Sequence, residues 1–370
     1  MTMIDADERA AIRDGFARLL AERHREADVR RIMATDSGHD PALWQAISDM
    51  GLTALLVNPD HGGIGAGPVE LEAVMEEAGA ALLAGPFLSS AVLAAGLLGQ
   101  SNDADAKARL LPGIASGEAI AAVALTGEAG SWTPVGVNVT ARREGDGWQL
   151  DGTAAFVLSA NVATVLLVVA RTADGIGCFE IAPDAIGIDV QPLESWDRTL
   201  RFSRILFSGA KAVQIGGIDE AAVERALDLG RVALAGEQAG AARQIFEISV
   251  DYLKTRVQFG RQIGGFQALK HIAADLLIEV ESATSAARAA AEALASDAPD
   301  KDRLVNLAAF ACADAFSEVA ATAIQMHGGI AFTWEHPAHL YLRRARADAQ
   351  LFGQSDMYRE RFLAAMEKAA

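Results

Sequence analysis

The chain has 370 residues, 51% of them hydrophobic, enough for a large core and for two or three structural units. Its net charge of -17 argues against nucleic acid as a partner, since phosphate binding needs clustered Lys and Arg and the positive stretches here are short. Only Cys178 and Cys312 occur, which excludes a cysteine-based metal framework and suits a reducing cytoplasm.

In chain order, residues 1–117 read as helical. Ala10, Ile12, Phe16, Leu19 and Leu20 recur at helical spacing, and the charged N-terminal stretch lacks the pattern of a secretory signal. Asn58 to Gly63 is a loop by composition, and Gly85-Pro86 separates two further Ala- and Leu-rich helices. Residues 118–217 read as short strands. Val137 to Ala141 alternates, Gly145-Asp146-Gly147 makes a turn, and Val162 to Ala170, Gly177 to Ile181 and Ser203 to Phe207 follow. Such turn-punctuated strands predict a small antiparallel barrel or sandwich. Residues 218–370 return to long Ala-rich helices, closed after Met326 by Gly328-Gly329, and helices of this kind pack as a bundle. No run of about 18 apolar residues is evident, so no membrane span is expected.

Four segments carry the chemistry. Residues 256–271 contain Arg256, Phe259, Gly260, Gln267 and His271 at a junction of two helices. Arg256 has the fork that grips a diphosphate, Phe259 a ring that packs, and Gln267 an amide for a ribose or adenine edge. The plain alternative is a glycine-stabilised helical corner. Residues 325–337 hold Gln325, Gly328 and Gly329, where backbone can approach a diphosphate closely, followed by Phe332-Thr333-Trp334-Glu335-His336-Pro337. The plain alternative is a capped helix and its loop. In the strand zone, Thr126 and Ser131 belong to a hydroxyl- and glycine-containing loop, and Phe156 and Leu158 lie on the strand after it. Last comes Leu351-Phe352-Gly353-Gln354.

These segments resemble, essentially end to end, the acyl-CoA dehydrogenases. The resemblance implies an α+β fold: an N-terminal helical domain (1–117), a middle β-barrel domain (118–217) and a C-terminal four-helix bundle (218–370). It implies FAD, bound by Thr126, Ser131, Phe156, Leu158, Arg256, Phe259, Gln267, His271, Gln325, Gly328, Gly329 and Gln354, with the 256–271 element reaching the flavin of a neighbouring subunit. It implies oxidation of an acyl-CoA at its α,β-bond, with electrons passed to an electron-transfer flavoprotein. It also implies departures. Phe156 stands where the family has the Trp that covers the flavin, and Leu158 where it has the Thr that bonds flavin N5.

The larger departure concerns the base. A carboxylate must reach the α-proton, and the family supplies a Glu at one of two positions, which here are Phe352 and Gly230. Arg231, beside Gly230, matches a substrate-site arginine. Glu237 is the nearest carboxylate on that helix face, seven residues or about 10 Å further along, and is the candidate base only if the acyl chain lies differently. Its other readings are a buried partner of Arg231 or Arg243, or a residue that lines the pocket. The wording around Phe332 to Arg344 resembles the branch that lacks the usual Glu and forms heterotetramers in steroid or cholesterol catabolism. Loss of bulk at Gly230 would widen a pocket for a ring-sized acyl group. The expectation is thus a cytoplasmic dehydrogenase subunit, in a heterotetramer with a Glu-bearing partner or in a homotetramer using Glu237. The other readings are an inactive subunit that completes a flavin site, and a flavin monooxygenase or oxidase.

Overall fold

The structure, a computed structural model, describes residues 4–145 and 147–369. Asp146 of the expected turn lies outside the described residues. The helices are α1 (Ala6–Arg23), α2 (Glu26–Met33), α3 (Pro41–Asp49), α4 (Pro68–Ala80), α5 (Ala95–Gln100), α6 (Ala104–Ala115), α7 (Glu220–Thr255), α8 (Gln267–Ala295), α9 (Lys301–His327), α10 (Ala338–Asp348) and α11 (Ser355–Ala369). The strands are β1 (Ala121–Ala124), β2 (Thr140–Glu144), β3 (Gly147–Leu158), β4 (Val165–Thr172), β5 (Gly175–Ile181), β6 (Ile188–Leu193), β7 (Phe202–Ile215), and a two-residue hairpin, β8 (Val257–Gln258) with β9 (Arg261–Gln262). A π-helical stretch, Phe87–Ala94, leads into α5.

The chain forms two compact units, both discontinuous in sequence. A barrel unit takes residues 29–67 and 84–230, and a helical unit takes 6–28, 68–83 and 231–370. In the barrel unit the hydrogen-bonded path β4-β2-β3-β7-β5 returns to β4, so the sheet closes, with β1 parallel on β4 and β6 on β7. Closure removes exposed strand edges. Leu150, Leu166, Val168, Phe179, Ile205 and Phe207 fill the interior, with Trp148 edge-on to Phe179 at 5.1 Å. The β3–β7 register shifts twice, once between Ala154 and Val157, where Phe156 has φ +53°. A bulge of this kind re-aims a side chain at a barrel rim.

In the helical unit, α4 lies backbone to backbone on α7. A Cβ added at Gly79 would sit 1.9 Å from the Glu237 carbonyl, one at Gly236 2.7 Å from the Glu72 carbonyl, and one at Gly240 1.8 Å from the Glu76 carbonyl. The Ala235-Gly236-Glu237-Gln238-Ala239-Gly240 run is therefore a packing device: small residues one turn apart let two helix backbones meet. Ala283, Ala287, Ala290 and Ala291 of α8 and Val305, Ala308, Cys312 and Ala315 of α9 extend the same small-residue core.

One helix bears on the expectation that no segment spans a membrane. By length and composition α9 and the turn after it, Lys301–Phe332, qualify as a membrane-spanning segment with mean hydropathy 1.5. Half of that window is buried inside the fold, where α9 packs on α8, α10 and α11, and a core helix has the same composition.

Candidate flavin and base site

The C-terminal ends of α7 and α9 are brought together by stacked rings. Tyr252 lies 4.6 Å from His327, and His327 4.2 Å from His336, centroid to centroid. Burial lowers the His327 pKa, so the ring sits there neutral. This stack joins two of the segments singled out in the sequence. Just beyond Tyr252 come Arg256, exposed, and Phe259, 91% exposed and left-handed at φ +53°, on the β8–β9 hairpin. Just beyond His327 come Gly328, at φ +65°, and Gly329, and a Cβ on either would meet nothing within 4 Å. Gln267 and His271 sit one turn apart on exposed α8, their side-chain nitrogens 3.1 Å apart. Gln325 and Gln354 are also exposed, and Gln354 donates to Gln350 at 3.0 Å. Glu335 is exposed at the rim of the stack.

This surface fits the diphosphate and adenosine end of a dinucleotide. It offers an exposed guanidinium, an exposed aromatic ring, amides, and open glycine backbone, all on one unit. Exposed aromatics Phe332 and Trp334, at 78% and 59%, border it.

The barrel unit holds the other segments. Thr126 is fully buried, and its hydroxyl donates to the Ser131 carbonyl at 2.7 Å. Ser131 Oγ lies 2.9 Å from Thr133 Oγ1, and Ala155 N–H donates to Thr126 O at 2.8 Å. The loop is thus tied to the bulge that presents Phe156, which remains 38% exposed. Leu158 is buried at 4% and brings no hydrogen-bonding group. Strand alternation, which would turn Ser159 to the opposite face, stops at Leu158: Ser159 is left-handed at φ +55°, buried, and donates its N–H to Arg201 O. Leu158 faces an apolar cavity of about 20 Å³, lined also by Leu93, Leu97, Trp132 and Leu227. That is room for about one water. On this side the residues fit an aromatic ring in contact with Phe156, but a hydroxyl directed at it from position 158 is absent.

At the base position Phe352 is completely buried, with φ +61°. Its carbonyl accepts the Tyr358 hydroxyl at 2.5 Å, and Tyr358 Oη in turn accepts from Arg231 Nε at 3.4 Å. Arg231, expected at the substrate, is buried at 3% with its guanidinium 5.7 Å from the Tyr358 ring centroid. Sequence reading missed Tyr358. Its only signal is a position six residues after Phe352, at the start of the next helix.

Glu237, the candidate base, has a partner that was not foreseen. It is buried at 2% and bound by Arg344, at 2.5 Å from Nη2 and 2.8 Å from Nε. Arg344 also reaches Asp348 at 3.2 Å and the Leu83 carbonyl at 3.1 Å. The two partners foreseen are engaged elsewhere: Arg231 at Tyr358, Arg243 at Glu76 and Glu77. Both contacts from Arg344 fall on Glu237 Oε1, and the pair is sealed from solvent, so Glu237 is built into a buried ion-pair cluster.

A closed barrel together with long Ala-rich helices is an architecture shared with the acyl-CoA dehydrogenases, and the matches to known proteins agree. Residues 6–118 match the acyl-CoA dehydrogenase N-terminal domain, and residues 216–367 the acyl-CoA dehydrogenase C-terminal domain. Acyl-CoA dehydrogenase IpdE2 of Mycobacterium tuberculosis is 33% identical over 94% of each chain. The ChsE4-ChsE5 complex from the same species has a chain 27% identical, with TM-score 0.91 over 100% of this chain and 99% of that one. A variant of the Tcur3481-Tcur3483 steroid ACAD is 28% identical, with TM-score 0.88 over 98% of each chain. The chain belongs to the acyl-CoA dehydrogenase family, FAD-using oxidoreductases that act on CH–CH bonds.

Proposed function

We propose that this chain is the base-less subunit of a heteromeric, FAD-dependent acyl-CoA dehydrogenase, working with a Glu-bearing subunit on a bulky, steroid-type acyl-CoA. The observation that carries the reading is the state of the three base candidates. Gly230 has no side chain, Phe352 is sealed in the core, and Glu237 is held by Arg344. The exposed Arg256, Phe259, Gln267 and Gly328-Gly329 surface supports the second half of the reading, a cofactor-completing role. So does the likeness to a ChsE4-ChsE5 complex and to a two-component steroid ACAD.

The chemistry divides accordingly. FAD supplies the hydride acceptor for the substrate's β-carbon. Arg256 neutralises diphosphate charge, Gln267 fixes a polar edge, and Phe259 covers a ring and excludes water. The α-proton goes to a carboxylate of the partner. An electron-transfer flavoprotein would be the acceptor of the reducing equivalents.

The test is anaerobic titration with steroid-type and simple acyl-CoAs, first of the chain alone and then of the chain co-purified with a base-bearing homologue. The expected result is flavin bleaching only in the second preparation. Bleaching of FAD bound to the chain alone would refute the reading and return Glu237 to candidacy, with Glu237→Gln as the follow-up.

A further inference from the structure

The helical unit contains a second polar site, which shares no residue with the flavin-type surface. A cavity of about 210 Å³ lies among α1, α4 and α8, lined by Arg9, Arg13, Glu72, Glu76, Arg288 and Glu292. It opens to the surface, since Arg288 is 54% and Arg9 35% exposed.

Its carboxylates are unequal. Glu76 is bridged by Arg243 at 3.2 Å and Arg288 at 3.3 Å. Arg9 is turned to Glu70 at 3.1 Å and Arg13 to Asp14 at 2.9 Å. Glu72 is 3% exposed, and its Oε1 is buried with no hydrogen-bond partner. The groups that face it are Glu76 from its own helix, Arg9 and Arg13 from α1, Arg288 and Glu292 from α8, and the buried Cys312 thiol from α9. From α7 it meets backbone: a Cβ at Gly236 would lie 3.3 Å from Glu72 Cγ. The nearest α7 charge, Arg243, is committed to Glu76 and Glu77.

An ionised carboxylate is disfavoured where an oxygen is buried without a hydrogen bond, and holding a proton lessens the penalty. We propose that Glu72 is a proton-binding switch that couples pH to the packing of α4 against α7 and α8. Protonated, Glu72 lets the three helices close. Ionised, it adds a second negative charge beside Glu76 at the tightest backbone contact of the unit.

Burial, then the charge of Glu76, push the Glu72 carboxyl from its ordinary 4.5 up to about 7. A value raised by folding stabilises the fold fully below 4.5, and the benefit is lost as pH rises through about 7. The folded protein thus binds this proton roughly 300-fold more tightly than the unfolded chain.

The experiment compares wild type with Glu72→Gln by urea denaturation of the full chain from pH 5 to 8. The variant should gain on wild type by roughly tenfold in folding constant per pH unit, level off above pH 7, and be the more stable protein at pH 8. A stability difference that is constant with pH, or a variant weaker than wild type at pH 8, overturns the proposal. Infrared difference spectra of wild type give a readout that does not depend on the variant folding. A protonated-carboxyl band that disappears near pH 7 supports the switch, and its absence overturns it. Stabilisation of wild type at pH 8 by potassium or ammonium chloride, beyond that by tetramethylammonium chloride, would also overturn it in favour of a bound cation.

Discussion

Gly240→Ala is the sharpest steric test of the helical unit. The new methyl would sit 1.8 Å from the Glu76 carbonyl oxygen, 2.6 Å from its carbon and 2.9 Å from the Glu76 Cα. All three are backbone atoms of α4, so no rotamer change relieves them. Restoring ordinary contact requires α4 and α7 to part locally by about 1.6 Å. A gap of 0.5–1 Å already forfeits roughly a quarter to a half of each van der Waals contact along the seam. The Arg243 and Arg288 bridges to Glu76, at 3.2 and 3.3 Å, stretch as α4 moves. The expected loss is about 3 kcal/mol, the upper part of the overpacking range. The control is Gly99→Ala on α5, where a Cβ meets nothing within 4 Å. Since Ala is the better helix former, that variant should gain about 0.5–1 kcal/mol. Urea denaturation of the two variants beside wild type measures both. Gly240→Ala within about 0.5 kcal/mol of wild type, or both variants losing equally, would refute the packing argument.

Two further outcomes follow from the site. Arg256→Ala with Phe259→Ser should reduce FAD retained by the purified complex at least about tenfold, one lost charge-assisted contact being sufficient. The melting curve of the chain should barely move, because both side chains are exposed; the flavin-to-protein absorbance ratio checks this, and unchanged retention contradicts it. Arg344→Met should cost about 3–5 kcal/mol by leaving Glu237 and Asp348 buried without their guanidinium. Arg344→Lys should recover only part of that, since an ammonium cannot fork. Full recovery in a denaturation assay would show that charge alone, not geometry, holds the cluster.

Much of the fold was readable in residue order. Helical spacing placed the long Ala-rich helices, alternation and turns placed the strands of the barrel, and Gly328 ends α9 as expected. Local motif carries the candidate site at Arg256 to Gln267 and Gly328-Gly329, where the residues lie exposed next to one another in sequence. It was unreadable where long-range partners decide. Glu237 and Arg344 are 107 residues apart, and nothing in either segment announces the pair. The bulge at Phe156 breaks the two-residue period of its strand, which no local pattern announces. Tyr358 carries no motif, and its meaning comes only from the Phe352 carbonyl it caps. The interleaving of the two compact units likewise depends on long-range contacts: α1 and α4 contribute to a body otherwise built from residue 231 onward.

That discontinuity has a consequence for synthesis on the ribosome. α4 leaves the exit tunnel some 160 residues ahead of the α7 segment it clasps, a delay of roughly 8 to 32 s at ordinary elongation rates. Throughout that interval Glu76 lacks Arg243 and Arg288, and the α4 backbone lacks the glycine-lined face of α7, although α1 with Arg9 is already there for Glu70. The nascent barrel has its whole sequence out before the helical unit can begin to close. The order of docking therefore departs from the order of synthesis: a segment made near the start is among the last to complete its contacts.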